Sequence, residues 1–107
     1  MPTKPKKMLA KKRIKIEKKI KTPRQMERHL KGVANYRRIE ILFLVAEDEG
    51  ITLDGICSAL KGNSKTLSQH TQKLVQAGLL NKFRRGKGVG HILSPYGKVF
   101  LKFIKTF

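Results

Sequence analysis

The residues that this 107-residue chain lacks exclude several classes of protein. Its single cysteine, Cys57, can form neither an internal disulfide nor a cluster of thiolate ligands, which favours a reducing cytoplasm. Acidic residues are few, and we find no nucleophile motif, phosphate-binding loop or metal-ligand set, so we do not expect an enzyme. No apolar run approaches the length of a membrane span, and the charged N-terminus lacks the apolar core of a signal peptide. We therefore expect a cytoplasmic protein without a cofactor.

Positive charge is what the chain has in excess. It contains 25 Lys and Arg against 7 Asp and Glu, a formal net charge of +18. Such an excess favours a polyanionic partner, because each neutralised phosphate releases condensed counterions. At this length there is room for one domain. We therefore divide the chain into a basic N-terminal arm, residues 1–22, and a globular domain, residues 23–107, each of which carries a net charge of +9.

The arm is rich in lysine and has no aromatic residue. Repulsion between like charges favours a solvated, disordered tail. Helical spacing of Leu9, Arg13, Ile16 and Ile20 leaves open a helix that orders on DNA or on a partner. In either form the arm can bind a minor groove or a phosphate backbone through Lys4, Lys6, Lys7, Lys11, Lys12 and Arg13.

Capping residues predict where the first two helices begin. Thr22 and Pro23 suit the N-cap and first position of a helix PRQMERHLKGVA, and Asn35 suits the cap of the next, YRRIEILFLVAED. The second of these helices is apolar on nearly every side, which places it in the centre of the core. The predicted apolar stripe of the first helix consists of Met26, His29, Leu30 and Val33.

A helix-turn-helix is predicted next. Ile51 starts a very short strand and Thr52 caps the third helix, LDGICSALKG, which Gly62 closes. Asn63 then caps a fourth helix, which Gly78 ends as a C′ glycine. The residues of the third helix that we expect to face inward are Leu53, Ile56, Cys57 and Leu60.

The remaining residues read as a hairpin followed by a last helix. Leu79–Phe83 and Val89–Leu93 flank RRGKG, a turn whose glycines can adopt positive φ. Ser94 and Pro95 then cap and open a helix, SPYGKVFLKFIKTF. This helix either completes the core or pairs with its copy in a homodimer; its apolar positions are Val99, Phe100, Phe103, Ile104 and Phe107.

The fourth helix, near residues 64–77, has two unlike faces at helical spacing. The apolar back consists of Leu67, Thr71, Leu74 and Gly78. A front of amides, hydroxyls and amines can hydrogen-bond base edges in a major groove, whereas any surface helix would also show a solvated polar face. That front consists of Lys65, Gln69, Gln72 and Gln76, flanked by Ser68 and Lys73.

Ten residues are the candidates for DNA contact. On the fourth helix Gln69 and Gln72 can pair bidentately with adenine, and Lys65 or Lys73 with guanine or phosphate. His70 lies between the two faces, so it either contacts phosphate or hydrogen-bonds a neighbouring helix. The other candidates are Thr66 and Ser68 on the helix and, on the wing near residues 84–90, Arg84, Arg85 and Lys87, which we expect to contact phosphate or the adjacent minor groove.

From Leu30 to Phe107, about three quarters of its length, the chain resembles the ArsR-like branch of winged helix transcriptional regulators. The second helix supplies Arg37 or Arg38 with Ile41, Leu42 and Val45 in the family's register. The wing matches more loosely through Arg84, Arg85, Gly86, Lys87, Val89 and Leu93. The specific match is to the recognition-helix pattern "s-x-sTvSxHLxxLxxAGLv", at Asn63, Lys65, Thr66, Leu67, Ser68, His70, Leu74, Ala77, Gly78, Leu79 and Leu80.

Three departures from the family pattern affect packing and the wing. Gly55 stands where a good helix former is usual and costs about 1 kcal/mol relative to Ala. Thr71 replaces an apolar residue, which weakens packing. The wing is about one residue short and rich in glycine, which predicts mobile contacts.

The resemblance implies dimerisation through the first and last helices, whereas the residues present argue against a metal effector. Family sensors use paired cysteines on the third helix or His and carboxylates on the last one. Here Cys57 is alone, residues 94–107 contain no His, Asp or Glu, and the three histidines fall on different elements. Cys57 lies where the family carries a small apolar residue, which favours packing in the core over redox sensing.

Together these observations predict a mainly α fold with a small β-hairpin wing, a winged helix-turn-helix of order α-α-β-α-α-β-β-α, preceded by the basic arm. The expected function is sequence-specific binding of double-stranded DNA by a cytoplasmic, nucleoid-associated homodimer, without metal, cofactor or membrane. The alternative is a non-specific nucleoid-coating protein or an RNA- or ribosome-associated one. RNA binders usually expose aromatics for base stacking, whereas most aromatics here occupy apolar-stripe positions.

Overall fold

The computed structural model describes residues 21–107 and confirms the predicted order of elements. The arm expected over residues 1–22 lies almost entirely outside the described residues. No helix among the described residues has both the length and the apolar character that crossing a bilayer requires. The helices are α1 (Pro23–Val33), α2 (Tyr36–Glu47), α3 (Leu53–Leu60), α4 (Ser64–Gln76) and α5 (Pro95–Thr106), and the strands are β1 (Ile51–Thr52), β2 (Leu80–Arg85) and β3 (Gly88–Leu93).

Side-chain caps fix the start of every helix, as the sequence predicts. Thr22 forms a reciprocal capping box with Gln25, and the Asn35 side chain accepts from the first amides of α2. Thr52, Asn63 and Ser94 each accept an amide hydrogen bond from the residue three positions later.

The turn between α3 and α4 differs from the prediction that Gly62 closes α3. The helix ends at Leu60, and Lys61 rather than Gly62 adopts the left-handed conformation, with φ of 51°. Gly62 is required for a different reason. A Cβ at this position would lie 2.6 Å from Cδ1 of Leu67, which is fully buried under the turn.

The sheet has three antiparallel strands in the order β1-β3-β2. Both hairpin strands extend further toward the tip than predicted, since Arg85 pairs with Gly88 and only two residues form the turn. The first of those two, Gly86, has φ of 59°, which a two-residue hairpin of this kind requires. Arg84 and Arg85 therefore belong to strand β2 and not to the turn.

The core lies between α2, α3, α4 and the sheet. As predicted, α2 runs through it, and α4 contributes Leu67 and Leu74. The predicted stripes of the outer helices are only partly buried. In α1, His29 and Val33 are buried but Met26 and Leu30 are exposed, and in α5 the buried apolar side chain is Leu101, absent from the predicted stripe, while the exposed ones include Val99, Phe103 and Phe107.

Candidate nucleic-acid interface

The outer face of α4 carries the polar side chains that the sequence assigns to DNA contact. Leu67, Thr71 and Leu74 are buried against the core, which fixes the rotation of the helix. The side chains on the opposite side are consequently directed to solvent. Ser68 and His70, at the edges of this face, are half-buried; the fully exposed residues are Lys65, Thr66, Gln69, Gln72, Lys73 and Gln76.

The C-terminal end of α4 is held by backbone and side-chain hydrogen bonds. Gly78, with φ of 79°, donates to the Val75 carbonyl at 3.0 Å, and Leu79 donates to the Leu74 carbonyl at 3.0 Å, which is a Schellman motif. The buried ring of His29 on α1 donates from Nδ1 to the Ala77 carbonyl. The C-terminal end of α4 is therefore fixed relative to α1.

Thr71 does not leave a buried hydroxyl without a partner. Its Oγ1 donates to the Leu67 carbonyl at 2.8 Å, one turn earlier in the same helix. The polar group is therefore satisfied within α4, although Thr71 still supplies less apolar surface than the residue usual at this position.

His70 hydrogen-bonds a neighbouring helix, one of its two predicted roles. Its Nδ1 accepts from Nε of Arg38 at 3.1 Å, and Nη1 of the same arginine donates to the Lys31 and Gly32 carbonyls at 3.1 and 3.3 Å. Burial, followed by the positive charges of Arg38 and Arg37, lowers the pKa of His70 below its ordinary value of 6.5. Arg38 thus joins the end of α1 to the middle of α4 through a neutral imidazole.

Arg37 fixes the turn at the other end of the motif. Its guanidinium donates to the Leu60 carbonyl at 3.3 Å and pairs with Glu40 at 3.1 Å. The carbonyl of Leu60 lies at the end of α3, where helical acceptors lack intrahelical partners. Arg37 and Arg38, adjacent in sequence, therefore hold α3 and α4, respectively.

The three basic residues of the wing have different surroundings. Arg84, Arg85 and Lys87 are all exposed. Arg85, however, donates from Nη1 to the Gly50 carbonyl at 2.5 Å, next to the start of β1. Arg84 and Lys87 have no side-chain hydrogen bond or ion pair within residues 21–107, so their charges are available to a ligand.

One glycine of the wing is required by packing. A Cβ on Gly90 would lie 2.8 Å from Cζ of Phe83 and 2.9 Å from the Gly50 carbonyl oxygen. The close approach of strand β3 to the turn after α2 therefore excludes a side chain at this position. Gly90 is thus explained by packing, and its presence is no reason to expect a mobile wing.

A strongly basic cleft beside α4 was not predicted from the sequence. It has a volume of about 410 Å³ and is lined by cations from three helices. The spacing of Arg24, Arg28 and Lys31 at i, i+4 and i+7 would have placed these three on one face of α1. The remaining cations of the cleft, Arg38 and Lys73, could be assigned to it only once the packing of α1 on α4 was known.

Metal-ligating side chains do not cluster in the part of the chain that the structure describes. No three His, Cys, Asp or Glu residues of 21–107 come together in a way that could hold a metal ion. Cys57 is half-buried and packs against the core, as predicted. His29 and His91 are both buried and each faces a backbone carbonyl, Ala77 and Ile51 respectively.

Known proteins share this architecture. Residues 35–82 match the family model described as bacterial regulatory protein, arsR family. HlyU from Vibrio cholerae N16961 is 27% identical, with a TM-score of 0.71 over 81% of this chain and 95% of that one. The homodimeric winged helix-turn-helix DNA-binding domain of Mb0332 from Mycobacterium bovis is 26% identical, with a TM-score of 0.70 over 77% and 76% of the two chains.

A more distant structure shares the fold. The transcriptional repressor PagR of Bacillus anthracis is 22% identical, with a TM-score of 0.68 over 76% of this chain and 93% of that one. No curated protein sequence matches the chain. Residues 35–82 are therefore similar to the arsR family of bacterial regulatory proteins, and the chain shares the winged helix fold of HlyU and Mb0332.

Proposed function

We propose that this chain is a sequence-specific regulator that binds double-stranded DNA by placing α4 in the major groove. The observation that carries the proposal is the outer face of α4, where amides, hydroxyls and amines are exposed on a helix whose ends and rotation are fixed. A helix held in one rotation presents its donors and acceptors to the groove in one register, and it is by such donors and acceptors that base pairs are distinguished.

Each candidate residue has a role that fits its position. Gln69 and Gln72 hydrogen-bond adenine edges, Lys65 and Lys73 bind guanine or phosphate, and Thr66 and Ser68 contact base or backbone near the start of the helix. Arg84 and Lys87 bind phosphate or the adjacent minor groove. Arg85 and His70 instead position the wing and the helix, since both are hydrogen-bonded within the protein.

The active form that we propose is a homodimer through α1 and α5. Between these helices lies an apolar groove of about 400 Å³, and exposed apolar surface of this kind marks an interface. Its occupant is the same groove of a second chain, in line with the homodimeric Mb0332 domain. Two recognition helices would then read a near-palindromic site. The exposed apolar side chains of the groove are Met26, Leu30, Tyr96, Val99 and Phe103.

Light scattering at tens of micromolar tests the dimer. We expect the mass of two chains for the parent protein and of one chain for Val99→Glu, because a carboxylate in the groove would be desolvated on pairing. Val89→Glu, the same change at a half-exposed valine of the wing, should remain dimeric. A monomeric parent would contradict the proposal.

We further propose that the regulator acts in the cytoplasm, at the nucleoid, without a metal. The grouping of His, Cys and carboxylate residues that a metal sensor requires does not occur among the described residues. Metal titration monitored by DNA binding tests this part: Zn²⁺ at micromolar concentration should leave the affinity unchanged, and release of DNA would contradict it.

A second candidate function has one observation in its favour, the net charge of +18. Charge of this size supports a non-specific coat on the nucleoid, or an RNA- or ribosome-associated protein, since phosphate contacts alone supply sequence-independent affinity. Such a protein would bind duplex DNA, single-stranded DNA and structured RNA with affinities set by charge.

Selection from a randomised duplex library at about 150 mM salt, a concentration that suppresses charge-driven binding, separates the two functions. We expect one enriched motif, and Gln69→Ala or Gln72→Ala should lower the preference for it by about 1–3 kcal/mol. Asn81→Ala, which removes an exposed side-chain amide from β2 outside the outer face of α4, is the matched control and should keep the preference. No enrichment would contradict sequence-specific binding and favour the coating protein.

A further inference from the structure

We infer that α1 carries a second DNA-contacting surface, a basic cleft that binds the phosphate backbone beside the major groove read by α4. The cations of this surface are Arg24, Arg28, Lys31, Arg38 and Lys73. The inference rests on the proposed function, because it extends the same interface to a helix that the sequence analysis did not assign to DNA.

The charge of the cleft fits a polyanion. Five cations line it against one acid, Glu27, which is paired with Lys31 at 3.2 Å. Arg24 and Arg28 are exposed and make no hydrogen bond or ion pair within residues 21–107. Confining several like charges to one cleft is unfavourable in the free protein, and an anion that neutralises them relieves this repulsion.

The cleft is continuous with the outer face of α4, which identifies the polyanion as the bound DNA. A second cleft of about 410 Å³ runs along that face past Gln69 and Gln72. The two clefts share Arg38, Lys73 and Gln76. A strand whose bases are read at Gln69 therefore has its phosphates directed toward α1.

The cations of α1 are separate from the proposed dimer surface. Met26 and Leu30 line the apolar groove, whereas Arg24, Arg28 and Lys31 line the basic cleft. At 100° per residue these two sets fall on opposite sides of α1. One side of the helix can therefore pair with a second chain while the other contacts DNA.

Several hydrogen bonds hold the cleft in shape. Arg38 bonds two carbonyls at the end of α1 as well as His70, and His29 bonds Ala77 at the end of α4. The phosphate-binding side chains therefore project from helices with a fixed relative position, so the cleft does not have to form on binding.

The test is the salt dependence of binding, measured with fluorescent duplexes carrying the selected motif and a random sequence. The test variant is Arg24→Gln with Arg28→Gln, which keeps two good helix formers at exposed positions. The matched control, Lys98→Gln with Lys102→Gln, removes the same charge from exposed positions of α5 that line neither cleft.

For each bound chain we expect the magnitude of the negative slope of log affinity against log salt to fall by about 1.8 in the test variant, about 0.9 per lost phosphate contact. Between 50 and 200 mM salt, the ratio of the affinity of the parent protein to that of the test variant should therefore fall on the order of tenfold. The preferred motif should be unchanged, and the control should keep the parental slope.

A parental slope in the test variant, or an equal change in the control, would overturn the inference while leaving the sequence preference of the proposed function intact. The inference would also be overturned if the test variant showed a weaker salt dependence than the parent on structured RNA but not on duplex DNA. If the parent shows no sequence preference and the slope still falls only in the test variant, the proposed function fails and the backbone contact of α1 stands.

Discussion

The residue type at several positions of this fold is explained by contacts with residues outside its own helix or strand, and not by its helix propensity. Gly55 is an example, because its place in α3 looks unfavourable for a helix. A Cβ there would lie 2.8 Å from Cγ1 of Ile51, which is buried at the start of β1. The glycine is therefore required by the contact between α3 and β1.

Replacing Gly55 by alanine should destabilise the domain. Helix propensity favours alanine by at most about 1 kcal/mol, but overpacking against a β-branched core residue costs about 1–3 kcal/mol. We expect a net loss of about 1 kcal/mol in the free energy of urea unfolding. Ser58→Ala, at an exposed position of the same helix, should be neutral or stabilising. A stabilised Gly55→Ala protein would show that Ile51 moves aside without cost.

His70 should make stability depend on pH. Its folded pKa lies below 6.5, so between the two values the unfolded chain binds more protons than the folded one. The contribution of His70 to stability is thus present above pH 6.5 and is lost as the pH falls below it, when Nδ1 no longer accepts from Arg38. We expect the urea midpoint to fall less between pH 7.5 and 5.5 in His70→Asn, whose side-chain oxygen accepts without titrating. The same fall in both proteins would assign the effect to other groups.

At the scale of elements, the hairpin places one basic residue against the rest of the fold and another in solvent. Arg85 joins β2 to the turn that follows α2, whereas Lys87 lies at the tip with its charge in solvent. We therefore expect these two basic residues, two positions apart, to serve different purposes, Arg85 a structural one and Lys87 the binding of phosphate.

Neutralising each of them should separate the two purposes. Arg85→Gln should lower the free energy of unfolding by about 1 kcal/mol through loss of a charged hydrogen bond to backbone. Lys87→Gln should leave stability unchanged but weaken binding to all sequences alike and reduce the salt slope by about 0.9. Urea unfolding and fluorescence anisotropy on the same two proteins provide the comparison. A stable Arg85→Gln protein with a reduced salt slope would instead make Arg85 a phosphate contact.

The sequence predicts those elements whose ends are set by local chemistry. Thr52 and Asn63 accept amide hydrogen bonds from residues within one turn, and Gly78 adopts a positive φ without strain. A few neighbouring residues are therefore enough to predict these helix ends. Gly62 is predicted to close α3, but nothing in the sequence indicates that the helix ends at Leu60 with Lys61 in the left-handed conformation. Gly62 is fixed by its contact with Leu67, which depends on how α4 folds back.

The same distinction applies to the interface. The outer face of α4 follows from helical spacing alone, and its exposure in the structure agrees. The partners of Arg38 and Arg85 are carbonyls or rings that lie 6 to 35 residues away in sequence. No spacing rule identifies such partners, so the sequence cannot distinguish an arginine available to DNA from one that holds the fold.

At the scale of the whole molecule, positive charge is divided between residues 1–20 and the winged helix domain. Residues 1–20 carry nine Lys or Arg and one Glu, a net charge of +8, and all are N-terminal to the cap of α1. The domain adds a basic cleft, a wing and the polar face of α4. We expect residues 1–20 to contribute general affinity and the domain to choose the sequence.

Deleting residues 1–20 should separate affinity from specificity. The boundary keeps Thr22, whose capping box starts α1, and Lys21, whose ammonium lies 3.9 Å from the centre of the Tyr96 ring. Because the deletion removes net charge without touching α4, we expect weaker binding and a flatter salt dependence, while the same motif is enriched from a random library. Unfolding by urea, followed in parallel, should give the parental midpoint. If the shortened chain kept its fold but enriched no motif, the arm itself would take part in choosing the sequence, because a tail that binds only phosphate changes affinity for all duplexes equally.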